Sequence, residues 1–183
     1  MFKGKKSFFA AVALASAMAS VATTANAQEA YLGGNLALVE YSEDGIGEDA
    51  SVTAGYVRFG GFLNEYLSVE ARAGLGFNDD RVNVSGIPVD FELDNLLGGY
   101  LRAGYPVTDQ LYPYVVGGFT RVEATVSVEG FGSETDSGND VSYGLGADFA
   151  VTEAVKLNAE YISFYSKDGA DFDALSFGVS TSF

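Results

Sequence analysis

Residues 66–77, "YLSVEARAGLGF", change character at every step. Leu67, Val69, Ala71, Ala73, Leu75 and Phe77 share one parity, and Ser68, Glu70, Arg72, Gly74 and Gly76 share the other. A side-chain period of two belongs to an extended strand with two unlike faces. The pattern recurs in eight segments, at roughly 30–41, 50–61, 66–78, 88–105, 111–127, 140–151, 155–166 and 173–183. No segment carries a long 3.6-residue apolar period. The chain is therefore expected to be all-β.

The parity can be read residue by residue. In 88–105, Val89, Phe91, Leu93, Leu97, Leu101, Ala103 and Tyr105 are set against Asp90, Glu92, Asp94, Gly98, Arg102 and Gly104. In 140–151, Val141, Tyr143, Leu145, Ala147, Phe149 and Val151 oppose Asp140, Ser142, Gly144, Gly146 and Asp148. In 155–166, Val155, Leu157, Ala159 and Tyr161 oppose Lys156, Asn158 and Glu160. In 173–183, Leu175, Phe177, Val179 and Phe183 oppose Ser176, Gly178 and Ser180. The first two segments alternate less cleanly; in 50–61, Val57 and Phe59 are read outward and Arg58 inward. In 111–127, Tyr114, Val116, Val122, Ala124 and Val126 are read outward, with Arg121 and Glu123 inward.

The connections alternate as well. "SEDGIGEDA", "NDDRVNVSGI", "SVEGFGSETDSGND" and the intermediate "SKDGADF" are the longer ones, while "LNEY", "PVTDQ" and "TEA" are tight. In an up-and-down meander, odd connections leave one end and even ones the other. One end is expected to carry loops and the other only turns.

A soluble barrel and a membrane barrel both alternate; they differ in which face is greasy. Here the polar parity is rich in Gly, Ser and Ala with scattered charges. Such small residues suit the inside of a narrow eight-stranded barrel. The apolar parity places aromatics near segment ends: Tyr41, Phe77, Phe91, Tyr105, Tyr114, Phe149, Tyr165 and Phe183. Aromatic girdles at both interfaces mark a membrane barrel. Lipid also demands closure, because an unpaired backbone amide there finds no water. The expected fold is an eight-stranded antiparallel up-and-down transmembrane β-barrel.

The front of the chain agrees with export. Lys3, Lys5 and Lys6 precede an uncharged stretch from about Phe8 to Val21, and Ala25-Asn26-Ala27 follows as a small-x-small cleavage site. That is the layout of a signal peptide covering 1–27. The apolar run is shorter than the roughly 20 residues of a spanning helix. The barrel domain is then 28–183. Removing 1–27 leaves 7 of the 10 basic residues and all 25 acids, so the charge becomes 7 − 25 = −18. Such a surface repels nucleic acid. There is no cysteine, so no disulfide framework supports this exported chain.

"GYVRFGGFLNEYLSVEARAGLGF" (55–77) resembles a hairpin of small eight-stranded outer-membrane proteins of the OmpA, OmpX and Ail type. "PYVVGGFTRV" (113–122) and "LSFGVSTSF" (175–183) are similar to later strands of that group. The resemblance implies an integral outer-membrane protein of Gram-negative cells, with loops extracellular and both termini in the periplasm. It implies a structural or surface-interaction role in membrane integrity, adhesion or resistance. It also implies that the terminal aromatic, Phe183, is read by the outer-membrane assembly machinery. Val57 interrupts the group's Gly-Tyr-Arg order. A narrow, porin-like channel and a soluble lipocalin-like binder are the competing readings.

The chemistry available is limited. The chain has no histidine and no cysteine. A Ser-His triad, a cysteine nucleophile and a histidine-ligated zinc are therefore excluded, and no enzyme or cofactor is expected. The charges on the small-residue parity are Glu70, Arg72, Arg102, Arg121, Glu123, Asp148, Lys156 and Glu160, with Arg58. They are expected in the lumen, as a neutralising salt-bridge network or as the lining of a gate. Glu43, Asp44, Glu48, Asp49, Asp79, Asp80, Glu134, Asp136, Asp140, Asp168, Asp171 and Asp173 crowd the loop end. They form a solvated rim, or a surface for divalent cations bridging to lipopolysaccharide, or for a basic extracellular ligand. "DGADFD" is no full EF-hand loop. A monomer is expected.

Overall fold

The computed structural model describes residues 29–43, 50–77, 79–84, 87–128, 132–167 and 170–183. The expected signal peptide, with its cleavage pair Ala25 and Ala27, lies outside them. Nine strand segments are present: β1 (Glu29–Glu43), β2 (Ala50–Phe62), β3 (Leu67–Gly76), β4 (Asp79–Val84), β5 (Ile87–Gly104), β6 (Leu111–Val128), β7 (Gly132–Ala150), β8 (Val155–Lys167) and β9 (Ala170–Ser182). Each pairs antiparallel with its neighbours. β3 and β4 both pair with β5, β3 with its later half and β4 with its earlier half, so together they make one stave. Eight staves result, and β1 closes the sheet against β9 from Tyr31↔Ser182 to Glu43↔Ala170. The backbone of Phe183 finishes the seam by exchanging hydrogen bonds with Ala30 at 3.3 and 2.9 Å. Closure leaves no edge within the lipid-spanning height.

The three tight turns are one device used three times. Leu63, Val107 and Val151 each sit at the start, 44 positions apart in turn, followed by Asn64, Thr108 or Thr152 and then Glu65, Asp109 or Glu153. In each, the first residue's N–H donates to the carbonyl four residues on: Leu63 to Leu67, Val107 to Leu111, Val151 to Val155. The second residue's side chain accepts from amides that follow it: Asn64 Oδ1 from Leu67 N at 2.9 Å, Thr108 Oγ1 from Leu111 N at 3.0 Å, Thr152 Oγ1 from Val155 N at 3.0 Å. Asn and Thr stabilise turns in this way by replacing a backbone acceptor.

The outside of the barrel is greasy. On β7, Val141, Tyr143, Leu145 and Phe149 are exposed, and on β9 Leu175, Phe177 and Val179. At a rise of about 3.3 Å per residue and a tilt of about 40°, nine to eleven residues span about 23–28 Å, enough for the roughly 25 Å apolar band of an outer-membrane barrel. Phe77, Tyr105, Phe149 and Phe183 are exposed. The side chains of Tyr41, Phe91 and Tyr165 lie outside the described ones.

Three readings of the pattern are corrected. Tyr114, Val116 and Val122 point inward and are buried, while Arg121 is exposed and Glu123 half-buried on the outer face. Both parities of β6 carry aliphatic and aromatic residues, so greasiness could not sort them; Val115 and Phe119 hold the lipid side. Tyr114 is thus a lumen residue and no part of a girdle. Leu93 is also buried inside, because the β5–β6 register slips between Leu93 and Asn95. A bulge of this kind flips every side chain beyond it. Finally, most of the expected loops 78–87 and 127–140 are strand: β4 occupies Asp79–Val84 and β7 begins at Gly132.

Candidate functional site

The lumen is the one enclosed environment the alternation creates, and it is layered. At the turn end, Phe62 packs against Tyr31 and Tyr112, with ring centroids 5.7 Å apart in both pairs. Lys156 sits at this mouth, its Nζ 3.0 Å from Glu29 Oε1 and 5.3 Å from the Phe62 ring.

Above it lies an ionic layer with three cations and three anions. Arg72 donates to Glu70 at 2.5 Å and to both oxygens of Glu160 at 2.5 and 2.9 Å. Arg102 donates to Asp148 and reaches Glu70 at 3.3 Å. Arg58 is held more loosely, 3.9 Å from Glu70 and 3.5 Å from Asp148. All six are buried. An enclosed ion without a partner costs several kcal/mol, so charges of this kind persist only when paired and hydrogen-bonded. Neutral side chains add hydrogen bonds to the carboxylates, while Arg58 Nε and Nη1 and Arg102 Nε have no hydrogen-bond partner among the described residues. Tyr31 Oη donates to Glu70 at 2.6 Å, Tyr114 Oη to Glu160 at 2.8 Å, and Asn158 Nδ2 to Asp148 at 2.8 Å. The Arg102 guanidinium lies 3.7 Å from the Tyr114 ring centroid, and that of Arg72 4.4 Å from the Tyr100 ring, adding cation–π attraction.

Next comes a layer of hydroxyls. Tyr100, Thr120 and Ser142 form a chain with both links at 2.5 Å, and Ser142 Oγ donates to the Phe164 carbonyl at 2.9 Å. Tyr56 and Ser176 share a bond of 2.8 Å. The loop-side part of the lumen is apolar instead. Ala37, Val39, Val52, Ala54, Leu93, Leu96, Val122, Phe164 and Phe172 are buried together. The space left among them is about 10 Å³, no more than a single water needs, and its walls are apolar.

Lumen glycines make this filling possible. A Cβ at Gly60 would overlap the Tyr31 ring, and one at Gly146 would meet the Tyr114 hydroxyl. A narrow barrel can hold an inward tyrosine only where the facing wall has no side chain.

Of the residues read from sequence as a lumen network, the structure brings together Glu70, Arg72, Arg102, Asp148 and Glu160, with Arg58. Lys156 is at the mouth and makes no contact with these six. Arg121 and Glu123 are outside, where Arg121 donates to Ser137 Oγ at 3.4 Å. The sequence reading missed Tyr31, Tyr56, Tyr100, Tyr114 and Asn158 as members of this network, and also the buried Asn35, whose Nδ2 donates to Asn158 Oδ1 at 2.8 Å. The signal for Tyr56 and Tyr100 was their parity, which they share with Arg58 and Arg102. Of the acidic residues assigned to the loops, Glu43, Asp44, Glu48, Asp49, Asp79, Asp80, Asp136 and Asp168 fall outside the described side chains. Among the described residues, no three carboxylates converge as a metal site would need.

A greasy exterior, a filled polar-to-apolar interior and a closed eight-stave sheet define an outer-membrane β-barrel and rule out the soluble binder. The family described as outer membrane protein beta-barrel domain matches residues 7–183, and the chain belongs to it. No curated protein sequence matches it. Among solved structures it is similar to Ail, the attachment invasion locus protein of Yersinia pestis, with a TM-score of 0.63 at 18% identity over 85% of this chain and 98% of that one. A second Ail structure, at 0.60 and 19% over 85% of this chain and 98% of that one, holds the heparin analogue sucrose octasulfate. Neisserial surface protein A aligns at 0.62 and 16%, over 84% of this chain and 97% of that one. OprG of Pseudomonas aeruginosa aligns at 0.56 and 14%, over 85% and 95%. At these identities the likeness is one of fold. The protein is located in the outer membrane, and no catalytic role comes with its family.

Proposed function

We propose that the protein is a sealed outer-membrane anchor that displays an acidic extracellular surface, with a structural or adhesive role. The observation that carries this is the filled lumen: an ionic layer and an apolar layer lie in series across it, with about 10 Å³ left between the apolar side chains. An eight-stranded interior of this sort is packed and does not conduct. Planar-bilayer recording of the refolded protein tests the reading. No stable conductance is expected; a sustained, sizeable current that disappears in Arg102→Ala would replace it with the channel.

The turns and both termini face the periplasm in this reading, and the long hairpins face outward. The partner differs from that of Ail. The solved Ail complex holds a polysulfated ligand, whereas this chain's loop-side acids favour a cationic one. A cut after Ala27 gives a mature protein starting at Gln28, which N-terminal sequencing would show. Phe183 is in this reading the address recognised by the assembly machinery, which its exposed ring supports; its backbone is bonded to Ala30. Deleting it should lower assembly in cells more than folding in detergent. Equal losses would leave it only a packing role.

A further inference from the structure

The outer wall near the turns carries a groove of about 460 Å³ where β3, β5 and β6 run side by side. Tyr66, Leu67, Ala103, Tyr105, Pro113 and Val115 line it. The rings of Tyr66 and Tyr105 are exposed and stack on each other, with centroids 5.8 Å apart and planes at 10°. Their backbones are fixed. The Tyr66 amide donates to Asn64 Oδ1 at 2.8 Å, and its carbonyl accepts from Gly104 N at 2.8 Å and from Tyr112 Oη at 3.0 Å. The Tyr105 amide donates to the Pro113 carbonyl at 3.1 Å. Glu65 is exposed beside this pair, and its charge raises the pKa of the Tyr66 hydroxyl. The chain has no Lys or Arg between Arg58 and Arg72 or between Arg102 and Arg121, and Arg58, Arg72 and Arg102 are buried in the lumen. The groove therefore offers aromatic rings and a carboxylate, with no accessible cation from these stretches.

The wall beyond it faces lipid. Val69, Leu101 and Val115 are exposed on the same three strands. Gly117 pairs with Leu101 across β5 and β6, and Gly99 lies two positions from Leu101 along β5. Both glycines are exposed. A Cβ would meet nothing at Gly99, and at Gly117 only the Ser142 carbonyl, 3.9 Å away. Unlike Gly60 and Gly146, they make no room for an inward tyrosine. What they leave is a furrow in the lipid-facing wall.

We propose that this groove holds one phospholipid with a primary ammonium headgroup, with Tyr66, Tyr105 and Glu65 at the headgroup and Gly99 and Gly117 beside an acyl chain. An aromatic face attracts an ammonium, and a carboxylate accepts hydrogen bonds from its N–H groups. A tyrosine hydroxyl donates to the phosphate. A trimethylammonium headgroup keeps the charge and lacks the N–H donors. A glycerol headgroup lacks the positive charge, so its lipid is a net anion that Glu65 repels. The proposal rests on the turns facing the inner leaflet, as in the reading above.

The test places the mature barrel in nanodiscs of phosphatidylethanolamine, phosphatidylcholine and phosphatidylglycerol in equal parts, with matched acyl chains, and reads the retained lipid by native mass spectrometry. One phosphatidylethanolamine should stay bound, favoured about tenfold over either of the others, as one hydrogen bond to a charged group provides. Glu65→Gln should erase the preference, and Tyr66→Leu with Tyr105→Leu should release the lipid. Gly99→Leu, which fills open space, should lower retention severalfold and leave the urea midpoint of the barrel unchanged. Equal retention of the three lipids would overturn the site and leave an ordinary aromatic girdle. So would a preference that survives Glu65→Gln. The two leaflets of such a nanodisc are alike, so this result does not depend on which way the turns face. Orientation is read separately from Glu153→Cys, which an impermeant maleimide should fail to label on intact cells. Labelling there would sink the inner-leaflet placement and leave the lipid preference standing.

Discussion

The two halves of the lumen fill the same narrow tube by opposite chemistry. Near the turns, Arg58, Arg72 and Arg102 meet Glu70, Asp148 and Glu160 with tyrosines stacked between them. Near the loops, valines, leucines and phenylalanines pack as they would in a soluble core. The ionic half is specified by geometry, since each charge must meet particular partners. The apolar half is specified by volume, since any side chain of the right size will pack. One half should therefore fail when a single atom group is lost, and the other in proportion to the space left.

The largest effect is expected at Arg72, the only described cation contacting Glu160. Arg72→Ala strands that carboxylate and weakens the hold on Glu70. It should cost about 3–5 kcal/mol, read as a shift in the urea midpoint of the barrel refolded in lipid vesicles. The double change Arg72→Met with Glu160→Gln should recover much of that loss; no recovery would mean the pair acts through packing alone. Next, Phe164→Ala in the apolar half should cost about 3 kcal/mol by leaving a cavity, with Phe164→Leu costing less than half as much. Comparable losses for the two would contradict a volume-governed half. A similar but outward-facing test is Leu145→Arg, where burying the charge in lipid should cost about 2–4 kcal/mol. The same change at Thr125, above the apolar band, should cost little. Smallest of all is Lys156→Ala at the half-open mouth, expected below about 1 kcal/mol. A loss near that of Arg72→Ala would extend the ionic layer to the mouth.

The same contrast explains what could be read from sequence. Glu70, Arg72 and Arg102 stand out because a charge beside Gly and Ser, on a strand whose other face is greasy, has only the lumen to go to. The apolar half offers no such sign. Val116 and Val122 face in while Val115 and Phe119 face out, and hydrophobicity does not separate them. Arg121 and Glu123 were drawn inward by that ambiguity. Leu93 needed knowledge of a bulge that depends on the neighbouring strand. The extension of β7 was hidden for a different reason. Residues 132–139 are polar on both faces, so strand formation there has no period to announce it, and it comes from pairing with β6.

The repeated turns have a further consequence. Because the same short device recurs every 44 positions from Leu63 to Val151, the girth of the wall is quantised in hairpins. Duplicating one hairpin would add two staves and move opposite walls apart. Contacts that now span the tube at 2.5 to 3.5 Å would no longer reach. The same arginines and carboxylates would then line a hydrated passage, so what closes this barrel is its circumference as much as its side chains.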